Sequence, residues 1–330
     1  MKLKPSICMF IALFLGLAGF GQNVMHEEHP SLAIGAAAPD FSLTGVDGNT
    51  YSLASFKNSN ILVVVFTCNH CPTAQAYEDR LIRITSDYAP KGVAVVAIMP
   101  NDPLSIRLDE LGYTDLSDSY EEMKIRAREK HFNFPYLYDG ETEAVSRKYG
   151  PVATPHVFIF DKDRKLRYSG RIDDVEKPTR TPRHNDTRDA IESLLSGKTV
   201  AVQTTKVFGC SIKWAEKSEW IERAKQEWAK EPVELDTINE SGLKDLLKNN
   251  SDKLRLINVW ATWCGPCVTE FSEFITMNRM YRRRDFEFIS ISADDPSKND
   301  KALKFLKQQQ ASVKNYMFST DDKYRLIDAI

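Results

Sequence analysis

The sequence predicts an α/β protein: two α/β/α sandwich domains joined by a helical connector. Three observations carry this reading. The chain has 330 residues, and at roughly 150 residues per domain that length accommodates two compact cores. Two strand-like runs, Ile61 to Phe66 and Leu254 to Trp260, each lead into a Cys-x-x-Cys pair, then a helical pattern, then a second strand-like run. The continuous β-branched run Ile61 to Phe66 is of the kind found in a strand buried on both faces, and strand–helix–strand order gives parallel pairing with the helix packed on the sheet.

Composition sets the outer limits. Hydrophobic residues make up 42% and charged residues 27%, which excludes global disorder and collagen-like repeats. A formal net charge of −2 supplies no long-range attraction to nucleic acid or anionic lipid. Residues 1–21 read as an export signal, with Lys2 and Lys4 before the apolar run Ile7 to Phe20 and small residues Gly19 and Gly21 at its end. The run is shorter than the ~20 residues of a spanning helix, so cleavage is expected rather than anchoring. Cys8 would leave with the signal. The mature chain is then expected in a periplasmic or otherwise extracytoplasmic space, with no membrane span, where disulfides persist.

The elements follow in order. Residues 22–38 form a polar tail expected to be flexible. Pro39 to Leu43 and Tyr51 to Leu53 flank Asp47-Gly48 as a short hairpin. After Ile61 to Phe66 come a helix from Ala74 to Asp87, a strand from Val93 to Met99, a charged helix from Glu121 to Lys130 and a strand from Tyr136 to Tyr138. Val157 to Phe160 and Leu166 to Tyr168 form a hairpin around Asp161-Lys162-Asp163. Parallel strands followed by an antiparallel pair fit a thioredoxin-like sandwich, assigned to residues 39–210. Residues 211–232 are the connector: Trp214, Ile221 and Trp228 recur every seven residues, an apolar stripe for packing on a neighbouring domain. Residues 233–330 repeat the design. Ile330 arrives before any closing antiparallel strands, so this second domain is expected to be truncated, with an unpaired edge.

The Cys pairs are Cys68-Asn69-His70-Cys71 and Cys264-Gly265-Pro266-Cys267. Two cysteines so spaced at a helix start bring both sulfurs to one face. Free N–H groups and the helix dipole stabilise an anion at the first sulfur. Cys68 and Cys264 are therefore expected as exposed nucleophiles, and Cys71 and Cys267 as resolving thiols. Structural zinc and plain structural disulfides are the alternatives, but zinc cysteines usually sit in loops, not between a buried strand and a helix. His70 keeps one further option open, a soft-metal site such as Cu(I) on Cys68, His70 and Cys71. Cys210 is the odd thiol: a third redox partner, an intermolecular link or an inert buried residue. His131, His156 and His184 lack ligand spacing and are expected on the surface or in loops.

The segment Trp260-Ala261-Thr262-Trp263-Cys264-Gly265-Pro266-Cys267, with Glu270 following, resembles the active site of TlpA/ResA-type thioredoxin-like proteins. The region from Pro39 to Trp214 resembles peroxiredoxin-like proteins of the AhpC/TSA superfamily that carry a CxxCP centre. The matching pieces are Phe66 to Pro72, Pro100-Asn101-Asp102, Ala153 to His156, Gly170 to Asp174 and Gly209 to Trp214. These resemblances imply two redox centres without an organic cofactor, acting on protein thiols and disulfides with an upstream thiol reductant or oxidant, either soluble or membrane-bound. They also imply that Thr154-Pro155 is a cis-proline site whose Thr154 backbone pairs with an extended substrate strand.

Two departures bear on mechanism. The positions where a peroxiredoxin has the proline of its Pro-x-x-x-Thr-x-x-Cys loop hold Ile61 and Val64, which weakens a thiol peroxidase reading on Cys68. Thioredoxin's buried Asp is replaced by Leu62 and Asn258. From the residues between the cysteines, His70 is expected to stabilise a Cys68 thiolate and make the first centre the more oxidising, whereas Gly265-Pro266 offers no side-chain donor.

Overall fold

The structure is a computed structural model that describes residues 29–112, 114, 116–176, 180–320, 322 and 324–325. The expected signal at 1–21, and residues 22–28 of the tail, lie outside the described residues.

In chain order the first part comprises β1 (Ser42–Gly45), β2 (Thr50–Ser52), β3 (Ile61–Phe66), α1 (Pro72–Tyr88), β4 (Val93–Met99), α2 (Leu108–Leu111), α3 (Tyr120–Glu129), β5 (Tyr136–Tyr138), α4 (Ser146–Tyr149), β6 (Ala153–Thr154), β7 (His156–Phe160), β8 (Leu166–Gly170), α5 (Asp186–Leu195) and β9 (Cys210–Ser211). Then follow α6 (Ser218–Lys230), β10 (Asp236–Ile238), α7 (Glu240–Leu247), β11 (Leu254–Trp260), α8 (Gly265–Tyr281), β12 (Phe286–Ser292), α9 (Asn299–Gln308) and β13 (Lys314–Phe318).

A seven-stranded sheet runs in the order β2-β1-β5-β4-β3-β7-β8. Its centre is parallel, β3 with β4 and β4 with β5, while β7 and β8 close one side antiparallel. Every residue of β3 is buried, as its unbroken apolar run requires when helices and loops cover both faces. The period-2 alternation of the strand then divides the core. Val63 and Val65 pack with Tyr77, Leu81 and Ile84 of α1, and Leu62, Val64 and Phe66 pack with Tyr149, Phe158 and Phe160. Each such side chain stabilises the fold by about 1.5–3 kcal/mol.

The second sheet has four parallel strands in the order β10-β13-β12-β11. Trp260, Phe271, Phe288 and Leu306 form the core on one face; Ile238, Leu243, Ile289 and Ile291 form it on the other. Both sheets belong to an α/β thioredoxin-like fold. Between them, the stripe of the connector divides its contacts. Trp214 packs on His29 at 4.2 Å between ring centroids and lies under the Arg147 guanidinium. Ile221 is buried, and Trp228 lies beneath Arg279 of α8 and Arg282 just after it.

Two expectations change here. The described part of the tail is pinned: Leu32 and Gly35 donate N–H groups to the Tyr149 and Leu166 carbonyls, and Ala37 bridges to Lys165. Leu32, Ile34 and Ala38 pack on the core, so apolar burial overrides the polar appearance of this stretch. His156, expected at the surface, is buried in β7. Val152 N–H donates to its Nδ1 and its Nε2 lies 3.0 Å from Ser169 Oγ, and burial lowers its pKa to about 3, keeping the ring neutral.

Candidate active site

β3 delivers the chain to the first cysteine pair, and Pro72, at the first position of α1, sets where the helix begins. Cys71 is thus the N-cap. Its sulfur accepts the Ala74 N–H at 3.5 Å and the Cys210 N–H at 3.4 Å. Cys68 lies upstream of the helix in a loop, 3% exposed, with Sγ 3.1 Å from Thr154 Oγ1. The expectation of an exposed Cys68 at the helix terminus does not hold, because the helix starts after the second cysteine and not after the first. Electrostatics follow the geometry. Burial pushes the Cys68 thiol well up, reinforced by its contact with Cys71, whereas contacts with the Cys210 and Cys68 thiols hold Cys71 well below the ordinary thiol range.

The intervening loop is fixed by a buried carboxylate. One Asp118 oxygen accepts the N–H groups of Asn69 and His70; the other lies 2.7 Å from His70 Nδ1 and accepts Asn101 Nδ2. Burial alone would lower the His70 pKa, but the Asp118 charge raises it; conversely His70 holds Asp118 below the usual carboxylate range against desolvation. His70 therefore faces Asp118 through Nδ1, and its buried Nε2 has no hydrogen-bond partner. Asp118 was not legible from sequence, since 48 residues separate it from its partner.

The Thr154-Pro155 bond is cis. Thr154 carries both sulfurs, with Oγ1 against Cys68 and its carbonyl accepting from Cys71 at 3.4 Å. Its strand edge, expected to receive a substrate, is already paired: β6 and β9 form an antiparallel ladder in which Thr154 faces Cys210. Cys210, Cys71 and Cys68 consequently form one cluster of free thiols, of which Cys210 is the most exposed.

The second pair follows β11 with the helix starting three residues earlier in the motif. α8 begins at Gly265, Cys264 is its N-cap, and its sulfur accepts the Cys267 N–H at 3.4 Å. Cys264 and Cys267 are disulfide-bonded, Cα atoms 5.3 Å apart. Buried Asp294, also missed by sequence reasoning, shapes the approach by accepting from Thr262 N–H and Oγ1 and from Ser292 Oγ. Trp263 is 59% exposed beside the disulfide. Gly265 faces open space, so sterics do not demand glycine there; Pro266 lies in the first turn of α8.

Among the described residues, ligand atoms of Cys68, His70 and Asp118 lie within 4.8 Å of one another. The Asp118 oxygens are occupied by four hydrogen bonds, which leaves sulfur and imidazole as donors, a soft set.

Comparison with known proteins agrees with this chemistry. The thiol-disulfide oxidoreductase ResA of Bacillus thuringiensis subsp. konkukian is 33% identical over 162 residues, covering 48% of this chain and 82% of that protein. ResA of Geobacillus thermodenitrificans is 22% identical over 171 residues, covering 50% and 87%. A solved structure of a hypothetical protein from Sinorhizobium meliloti 1021 is 34% identical, with a TM-score of 0.51, covering 56% of this chain and 97% of that one. The family model described as Redoxin matches residues 33–187 and 231–328. With that match extending over both sheets, the chain belongs to the redoxin family.

Proposed function

We propose that the chain exchanges disulfides with protein substrates through two centres, Cys68/Cys71 and Cys264/Cys267, in an extracytoplasmic compartment. Thiol–disulfide oxidoreductase activity is the function of the chain; the proposal adds the two centres and the compartment. One observation carries it most: a Cys-x-x-Cys pair whose first sulfur caps α8, disulfide-bonded and bordered by exposed Trp263. A helix N-terminus favours the thiolate, so reduced Cys264 attacks a substrate disulfide and one substrate sulfur leaves. Cys267 then attacks the Cys264 sulfur of the mixed disulfide, releasing the second substrate thiol and leaving Cys264–Cys267 oxidised. Two electrons pass to the substrate, and an upstream thiol reductant restores the pair.

In the first centre the corresponding cap is Cys71, with Cys68 its bonding partner. No organic cofactor enters this chemistry. The N-terminal apolar run motivates the compartment, and among the described residues no helix is long and apolar enough to cross a membrane. The two-domain division at residues 39–210, 211–232 and 233–330 belongs to the same reading, as does the likeness of the first part to CxxCP-type peroxiredoxin-like proteins. Turnover of a protein disulfide by the full chain tests it, with Cys264→Ser and Cys71→Ser singly and together. Full activity in the double variant would overturn the assignment.

A second reading has one observation in its favour, the buried Nε2 of His70, which has no hydrogen-bond partner, on a residue grouped with Cys68. It makes the first centre a Cu(I) site, and titration of the reduced protein against a competing Cu(I) chelator decides it. The thiol peroxidase reading loses ground because burial raises the Cys68 thiol; slow stopped-flow reaction with hydrogen peroxide is expected.

A further inference from the structure

The disulfide that Cys68 and Cys71 would form is sealed from any protein partner. Cys68 is 3% exposed and Cys71 is fully buried. The strand edge beside them, Ala153–Thr154, is covered by the chain's own β9. That covering is built in several places. Gly209 has φ +140°, and a Cβ there would lie 2.0 Å from the Thr154 carbonyl oxygen, so only glycine lets the segment approach so closely. Beyond β9, Lys213 N–H donates to Asn101 Oδ1, the Lys213 carbonyl accepts the Asp102 N–H, and Lys213 Nζ pairs with Glu110 at 2.6 Å. The result places Cys210 opposite Thr154 in register, its N–H on the Cys71 sulfur at 3.4 Å and its thiol in contact with that of Cys71. Cys210 is half-buried, whereas the other two are not accessible.

We propose that Cys210 is the exit thiol of the first centre, taking over the buried disulfide as a Cys71–Cys210 bond and presenting it to an external protein dithiol. This rests on the redox reading of Cys68 and Cys71. Contact with Cys71 and burial push the Cys210 thiol up, so its sulfur attacks the Cys71 sulfur as its proton passes to Cys68; the Cys71–Cys210 bond forms, the Cys68–Cys71 bond breaks, and Cys68 leaves as the thiol. No electrons are gained or lost in this step. One thiolate of the external dithiol then attacks Cys210, and Cys71 leaves as the thiolate that the Ala74 and Cys210 N–H groups receive. The second external thiol attacks the mixed disulfide and frees Cys210. The partner ends oxidised by two electrons, and Cys71 and Cys210 end reduced. β9 thus occupies the place of a substrate strand and carries the thiol that a substrate would bring.

The test uses the full chain in glutathione buffers, with free thiols alkylated and tryptic peptides mapped by mass spectrometry. Cys68 and Cys71 share one tryptic peptide and Cys210 lies on another, so a Cys71–Cys210 bond appears as a cross-linked pair. Wild type should show the cross-link at partial oxidation. Cys68→Ser should convert to it, and Cys71→Ser should lack it. Cys210→Ser should slow reduction of Cys68–Cys71 by a protein dithiol by about tenfold or more, since exchange depends on access, while reduction by dithiothreitol changes less. Cross-link absent in wild type and in Cys68→Ser, with Cys68–Cys71 formed, overturns the exit role and leaves the redox reading standing. Failure of Cys68–Cys71 to form at all, with Cys264–Cys267 oxidised, overturns both. An unchanged rate in Cys210→Ser also overturns the exit role.

Discussion

Cys71 and Cys264 hold the same place in their helices: each caps the N-terminus, of α1 and α8 respectively. The two Cys-x-x-Cys motifs are therefore offset by three residues against their helices, and the capping sulfur is the second of one pair and the first of the other. Because unpaired N–H groups stabilise the anion, the low-pKa thiol of the first centre is expected to be Cys71. In a Cys264→Ser/Cys267→Ser background, thiolate absorbance against pH should show an ionisation below the ordinary thiol range in Cys68→Ser. It should disappear in Cys71→Ser. Survival of that ionisation in Cys71→Ser would return the role to Cys68.

The pairing of Asp118 with His70 gives a second expectation. Asp118→Asn removes one partner of a buried ion pair and weakens two backbone contacts, which costs about 3–5 kcal/mol. Denaturant unfolding measures this, and a loss below about 1 kcal/mol would deny that the pair is charged. The pH dependence has a definite sign. His70, raised above 6.5, contributes stability that is fully present below 6.5 and lost as pH rises through its folded value. Asp118, depressed below 3.8, contributes stability present above 3.8 and lost as pH falls through its folded value. The gap between wild type and Asp118→Asn should be widest between those limits and narrow on both sides.

These relationships mark where sequence reading succeeds and stops. β3 and β4 were legible to the residue because a strand buried on both faces needs an unbroken apolar run; β11, interrupted by Arg255 and Asn258, was legible as the strand that leads into the second cysteine pair. Cys71 as a cap was also legible, from Pro72: proline marks the first helical residue, whereas reading the motif by cysteine order put the helix start at Cys68. Asp118 and Cys210 carried no such local signal. Their partners lie 48 and 139 residues away, and only the folding of β6 against β9 and of the Asp118 segment over the loop brings them in. The Nδ1 contact of His70 is Asp118 rather than a cysteine.

Gly209 and Gly265 adjoin cysteines and should respond in opposite ways. Gly209→Ala forces a Cβ against the Thr154 carbonyl at a φ that side chains avoid, a cost of roughly 1–3 kcal/mol for the backbone alone. Gly265→Ala meets nothing within 4 Å at a helical position and should stabilise by about 0.4–1 kcal/mol. Urea midpoints separate the two. A neutral Gly209→Ala would mean that β9 is not held against Thr154 in solution.

The direction of electron flow is the last expectation, and its cause is now backbone rather than His70. The Cys71 sulfur accepts two N–H groups, from Ala74 and Cys210, whereas Cys264 accepts one, from Cys267. A hydrogen bond to a charged group contributes about 1.5–3 kcal/mol, and for a two-electron couple ~1.4 kcal/mol corresponds to ~30 mV. Burial of Cys71 opposes this, but the balance of its surroundings still favours the thiolate. Stabilising the reduced form raises the potential, so the first centre should lie roughly 30–60 mV above the second. Electrons would then run from Cys264/Cys267 toward Cys68/Cys71. Glutathione-buffer titration of the full chain, with each pair quantified by alkylation and mass mapping, reads both midpoints. A first centre equal to or more reducing than the second would reverse the direction and show that burial outweighs the second N–H donor.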